Sequence, residues 1–252
     1  MTHLHHDVTM AAPSREWADQ VLDSVVAEIE AARFDDARHL AEPDLAKADI
    51  RLTEGTHLMP GARYQVGADG AEITVDECRP LKRIAFTVAD ERPDAVVSAA
   101  VEVLPGSRSR TATASGRVQL TGPFQKLRCL RWDGHVDLDR WWGGEPAAVR
   151  ACLEHRWAKA TLTAQAEHSP GNRWTVHCDA RGRGRSWGRL VVAVALVIWH
   201  GALVREFRKA LDDAARGWDD TMARWEGAPP TDAARALLAG LVTALVEPET
   251  SQ

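Results

Sequence analysis

Residues 185–225 read RSWGRLVVAVALVIWHGALVREFRKALDDAARGWDDTMARW, and the fold turns on how this stretch is interpreted. In its second half Val204, Phe207, Leu211, Ala214, Trp218, Met222 and Trp225 recur every three or four residues, while Arg205, Arg208, Lys209, Asp212, Arg216 and Asp219 fill the other side. That period belongs to an α-helix with one covered face, so one long helix over Arg185–Trp225 is expected. The first half is different. From Leu190 to Trp199 only Ala, Val, Leu, Ile and Trp occur, so this part needs cover on nearly every side, from a sheet, other helices or lipid.

Lipid is the poorest of these. The apolar run Leu190–Val204 is interrupted by His200 and Gly201 and falls short of the roughly 20 residues that a bilayer span needs. Acids match bases on the helix's polar face, whereas membrane-surface helices favour Lys and Arg. No transmembrane span is expected, and peripheral membrane contact stays open. The chain has 252 residues, 45% of them hydrophobic, and a formal net charge of -5, a globular profile with room for a sizeable core. Mild acidity argues against a nucleic-acid partner, whose phosphates would call for an excess of Lys and Arg. Cys78, Cys129, Cys152 and Cys178 form no CxxC pair, and the N-terminus lacks a secretory pattern, so a cytoplasmic setting is expected.

Two alternating runs precede the helix. In Trp157–Glu167, Ala158, Ala160, Leu162, Ala164 and Ala166 oppose Lys159, Thr161, Thr163, Gln165 and Glu167. In Arg173–Arg181, Trp174, Val176, Cys178 and Ala180 oppose Thr175, His177 and Asp179, and Pro170-Gly171-Asn172 makes the turn between the two. Upstream, Ala62–Val66, Ala71–Asp76, Lys82–Val88 and Thr111–Leu120 alternate in the same way, and Ala95–Leu104 does so less cleanly before a turn at Pro105-Gly106. They predict an antiparallel meander with one solvated face. A strand over Thr2–Met10 leads through Ala12-Pro13 into a helix with Trp17, Val21, Val25 and Ile29 on its apolar side, and residues 34–50, broken by Pro43, read as an irregular link. Between Gly122-Pro123 and residue 156 the pattern loosens into a strand, His135–Arg140, and a short helix, Pro146–His155. After residues 227–230, Thr231 suits an N-cap for a last amphipathic helix ending before Pro248.

Three stretches resemble the START-like, or SRPBCC, superfamily with its helix-grip fold. Val8-Thr9-Met10-Ala11-Ala12-Pro13-Ser14-Arg15-Glu16-Trp17 looks like that family's first strand entering its first helix. Gly61-Ala62-Arg63-Tyr64-Gln65-Val66 looks like its second-strand entry, and Glu77-Cys78-Arg79-Pro80-Leu81-Lys82-Arg83-Ile84-Ala85-Phe86 is similar to its turn between central strands. The resemblance implies an α+β fold in which a curved antiparallel sheet grips the long helix around an apolar cavity for a lipid, polyketide, sterol or similar molecule. The chain carries more strands than such a domain has, so residues 121–156 read as an insertion, the alternative being the start of a degenerate second unit. Residues 1–228 would then be the helix-grip-like domain and 229–252 a linker with an accessory helix.

Binding of a hydrophobic small molecule is the expected function, with Tyr64, Ile84, Phe86, Trp174, Phe207 and Leu211 as walls and the Tyr64 hydroxyl as a polar handle. No cofactor is expected, and oligomeric state carries no signal. Two polar constellations deserve weighing. His177 and Asp179 share a strand face, as an imidazole oriented by a carboxylate would in a polyketide cyclase or aromatase, although their face opposes the apolar one. His135, Asp137 and Asp139 alternate onto one face, a spacing that fits a divalent metal as well as a solvated edge. The N-terminal His3, His5 and His6 lack a neighbouring carboxylate set to complete a metal site, and Arg181-Gly182-Arg183-Gly184-Arg185-Ser186 reads as a solvated strand end or an anion site. Trp141-Trp142 reads as a loop pair that could rim a pocket or contact a partner, burial under the last helix being the expected reading. A third reading is an interaction protein without ligand, docking a partner through the helix at 231–246.

Overall fold

A computed structural model describes residues 2–41, 49–67, 70–79, 82–91, 95–104, 110–120, 129–185 and 188–246, the side chains of 188–200 and 241–246 excepted. In chain order the elements are β1 (Thr2–Ala11), α1 (Arg15–Ala31), β2 (Ile50–Glu54), β3 (Arg63–Val66), β4 (Glu72–Arg79), β5 (Arg83–Glu91), β6 (Ala95–Leu104), β7 (Thr111–Leu120), β8 (Cys129–Asp137), α2 (Leu138–Trp142), β9 (Val149–His155), β10 (Ala158–Ser169), β11 (Arg173–Gly184), α3 (Gly188–Trp225) and α4 (Pro230–Val246). The strands form one curved antiparallel sheet in the order β1-β11-β10-β9-β8-β7-β6-β5-β4-β3-β2. Ten strands thus follow one another as a meander, and β1 returns to pair with the last of them from Thr2↔Gly182 to Ala11↔Arg173.

The long helix covers the β1–β11 end. Phe207, Leu211 and Trp218 pack on a core of Val8, Ala164, Ala166, Trp174, Val176, Cys178 and Ala215. Polar bonds pin its last turns to the corner between β1 and α1. The Trp218 indole donates to the Ala11 carbonyl at 2.8 Å, and the Asp219 carboxylate accepts from the Ala11 N–H at 2.6 Å and from Arg173 at 2.7 Å. Ala215 is the alanine buried here and Ala214 is exposed, a shift of one position from the expected stripe.

α1 and α4 form a second layer. Val21 of α1 packs on Ala233 and Ala234, both 0% exposed, and Trp17 meets Trp225 at 6.1 Å between ring centroids. Small side chains on α4 permit this close approach. Arg110, beside β7, pairs with Asp19 and Asp23, and Arg15 pairs with Asp139 of α2, so charged side chains tether α1 across to the sheet.

Several local expectations change. Residues 149–155 are strand β9, hydrogen-bonded to β8 and β10 along their length, because two-sided pairing overrides the helical preference of an Ala/Leu/Glu-rich stretch. β2 begins at Ile50, where the expected link ends, and β8 ends at Asp137, whose side chain caps α2 by accepting from the Arg140 N–H at 3.0 Å. Ser14 caps α1, so Pro13 precedes the helix, while α4 starts at Pro230 and carries Thr231 in its first turn. Gly171 and Asn172 turn the β10–β11 hairpin with φ of 79° and 56°, the left-handed region that these residue types tolerate. Pro43, the turns at Pro105-Gly106 and Gly122-Pro123, Pro80 and Leu81, Ser186, Pro248 and the side chains of Leu190–Trp199 lie outside the described residues.

Candidate functional site

Two apolar cavities lie under the helical layer, one beneath each end of α1. The first is built on β3, β4 and β5. Strand alternation turns Tyr64, Ile73, Val75, Ile84 and Phe86 inward, and a bulge between Val75 and Glu77 resets the parity so that Cys78 joins them. Phe34 and Leu40, bridged to each other, close one side, while Ile29 of α1, its C-cap Ala32 and Leu238 of α4 form the roof. The cavity has a volume of about 430 Å³.

Its polar groups are engaged with one another. The Leu58 N–H donates to the Tyr64 oxygen at 2.8 Å, and His57 Nε2 lies 3.0 Å from the Ile29 carbonyl. A carbonyl only accepts, so Nε2 carries the proton and Nδ1 accepts from the Tyr64 hydroxyl at 2.8 Å. His57 therefore has no free nitrogen to act as a base. Burial pushes the Tyr64 phenol above its ordinary pKa against the opposing Leu58 bond, and burial followed by Glu30 raises Cys78. Arg235 pairs with Glu28 at 2.9 Å where α4 meets α1. What the chamber offers a guest is hydrocarbon and aromatic surface.

The second cavity, also about 430 Å³, is bordered by α1, α2, α3 and the sheet. Trp17, Trp141, Trp142, Trp174, Trp218 and Trp225 line it. Trp174 meets Trp141 and Trp142 edge-on, each at 5.5 Å. The indole N–H groups of Trp142 and Trp174 are buried and meet no acceptor among the described residues.

The six expected wall residues are thus divided. Tyr64, Ile84 and Phe86 line the first chamber, Trp174 lines the second, and Phe207 and Leu211 pack on the core beneath α3. Six strand steps separate β5 from β11, about 29 Å along the sheet at roughly 4.8 Å each, too far for one small cavity. Phe34, His57 and Cys78 were not among the expected walls. Phe34 and His57 lie in irregular segments without periodicity, and the bulge conceals Cys78.

The polar candidates lie elsewhere. His177 and Asp179 alternate with the buried Val176 and Cys178, so they occupy the opposite, outer face of the sheet. His177 bonds Asp7 and Glu167 there, and Asp179 bonds His3. Asp137 caps α2, and Asp139 lies in that helix, bonded to Arg15 and to the Arg110 N–H, so the alternation expected from His135 stops at Asp137. Arg181 and Arg183 are exposed on β11, as a solvated strand end requires. No helix among the described residues is long and apolar enough to cross a membrane.

No family model and no curated protein matches the chain. Among solved structures the chain is similar to the crystal structure of Ara h 8.0201, with 12% identity over 86% of this chain and 98% of that one and a TM-score of 0.20. It is also similar to the crystal structure of Zhui aromatase/cyclase from Streptomyces sp. R1128, with 10% identity over 100% of this chain and 99% of that one and a TM-score of 0.22.

Proposed function

We propose that the protein binds an apolar small molecule, of lipid, polyketide or sterol character, in the chamber around Tyr64. The supporting observation is the pairing inside that chamber. Tyr64 and His57 satisfy each other and two main-chain groups, and Glu28 and Arg235 satisfy each other, so the remaining lining favours a guest through apolar contact. A volume of about 430 Å³ falls within the range of small-molecule sites. In this reading residues 1–228 form the body of the binding unit, β8 and β9 within residues 121–156 widen its sheet, and α4 within residues 229–252 roofs the chamber.

A cyclase-type enzyme working through His177 and Asp179 is the weaker reading, since that pair belongs to the outer face and His57 has no free nitrogen. A partner-docking role for α4 is weakened because Ala233 and Ala234 are buried against α1. Cys78 provides the test, being a thiol on the chamber wall. Saturating fatty acid, sterol or aromatic polyketide should slow alkylation of Cys78 at least tenfold and leave Cys129 unchanged. Equal slowing at both thiols, or none at either with every ligand, would refute the proposal.

A further inference from the structure

On the outer face of the sheet β1, β11 and β10 bring together histidines and carboxylates that are distant in sequence. Antiparallel pairing sets His5 opposite Asp179 and Asp7 opposite His177, and alternation sends all four side chains to the same face. His5 Nε2 lies 3.1 Å and His177 Nδ1 lies 2.8 Å from the same oxygen, Asp7 Oδ1. One ligand atom from each of these three residues falls within 4.8 Å of the other two. We propose that His5, Asp7 and His177 bind one divalent transition-metal ion of the zinc type.

Two features distinguish this trio from a chance meeting of surface charges. First, each imidazole turns one nitrogen toward Asp7 and is held from behind by another carboxylate. His5 Nδ1 lies 3.4 Å from Asp179 Oδ1, and His177 Nε2 lies 3.3 Å from Glu167 Oε2. In metal sites such outer carboxylates accept the distal N–H, fix the ring and make the ligating nitrogen more basic. Second, Asp179 is itself held by His3 Nε2 at 2.7 Å, which anchors the second layer.

The donor set selects the ion. Two imidazoles and a carboxylate suit Zn²⁺, Co²⁺ or Ni²⁺, whereas Ca²⁺ and Mg²⁺ favour all-oxygen shells. Bond lengths of about 2.1 Å require the donor spacings to open by about half an ångström, which side-chain rotation on an exposed face can supply. With side chains 33–52% exposed, water completes the coordination. The ion would staple the first strand to the last.

The test uses the full chain, stripped with chelator and then titrated with Zn²⁺ by calorimetry and with Co²⁺ by visible absorption. One equivalent should bind, His5→Ala and His177→Ala should each weaken binding at least tenfold, and Zn²⁺ should raise the Tm of the parent chain but not of His177→Ala. Glu167→Gln should weaken binding about tenfold or more although Glu167 does not touch the ion. His135→Ala should bind like the parent. Absence of saturable binding overturns the proposal. So does unchanged affinity in His177→Ala, which would assign the ion to the N-terminal histidines alone.

Discussion

The Tyr64 hydroxyl donates a hydrogen bond to His57 Nδ1 at 2.8 Å, and this bond joins the floor of the chamber on β3 to the loop that closes it. Replacing Tyr64 with Phe keeps the ring but leaves the Leu58 N–H and His57 Nδ1 without their partner. A loss of about 1–3 kcal/mol is expected from these two part-buried groups. Urea denaturation of Tyr64→Phe measures it, and a change below about 0.5 kcal/mol would show that the bonds exchange freely with water.

Gly116 on β7 lies opposite Trp132 on β8, and the indole occupies the space of a missing side chain. A Cβ at position 116 would come within 2.6 Å of the Ser98 carbonyl oxygen and 2.7 Å of the Trp132 ring. The ring can turn aside, but the carbonyl belongs to a paired strand. Gly116→Ala should therefore destabilise the protein by about 1–3 kcal/mol, contrary to the gain that Ala for Gly brings where space exists. A stabilised variant in thermal melts would contradict the packing described.

The clamp at Asp219 sets an acid limit. Burial pushes its carboxyl pKa up, but the bonds from Arg173 and the Ala11 N–H outweigh it and hold the value below the ordinary range. A depressed folded-state pKa stabilises at pH above the unfolded value and ceases to do so as pH falls through the folded one. Acid unfolding of Asp219→Asn should thus be flatter below about pH 4 than that of the parent chain, with a lower plateau at neutral pH. Identical acid profiles would remove the clamp from the account.

His177 behaves in the opposite sense. The Asp7 bond raises its pKa, burial opposes the shift, and Glu167 adds to it. The same face also carries His5 and Asp179, the latter with its pKa depressed chiefly by His3. In metal-free protein the stabilisation from charged His177 is complete below the unfolded pKa of about 6.5 and disappears as pH rises through the higher folded value. Proton NMR should follow this titration, and Asp7→Asn should return it toward about 6.5. A titration already at or below that value in the parent chain would contradict the geometry.

Much of this fold is legible in the residues because one sheet face is wet. Alternation from Tyr64 to Val66, from Ile84 to Val88 and from Trp174 to Cys178 places each strand and its inward side correctly. It fails where both neighbours dictate the state, as in Val149–His155, and where a bulge resets parity, as at Cys78. The site is less legible. Tyr64, Ile84 and Phe86 converge because consecutive strands carry them, whereas assigning Trp174 to the same cavity required the width of the sheet, which no local pattern encodes. His5 and Asp7 gain His177 as a neighbour only through pairing across 170 residues, so the N-terminal histidines alone show no site.

Binding of an uncharged apolar fluorophore, Nile red, to the parent chain, to Ile84→Trp and to Val136→Phe tests the central claim most directly. Ile84 lines the Tyr64 chamber and Val136 the tryptophan chamber, so each substitution fills one cavity. The account predicts saturable binding displaced by fatty acid, sterol or polyketide, weakened at least tenfold in folded Ile84→Trp and unchanged in Val136→Phe. Equal affinity in the parent chain and Ile84→Trp would contradict it.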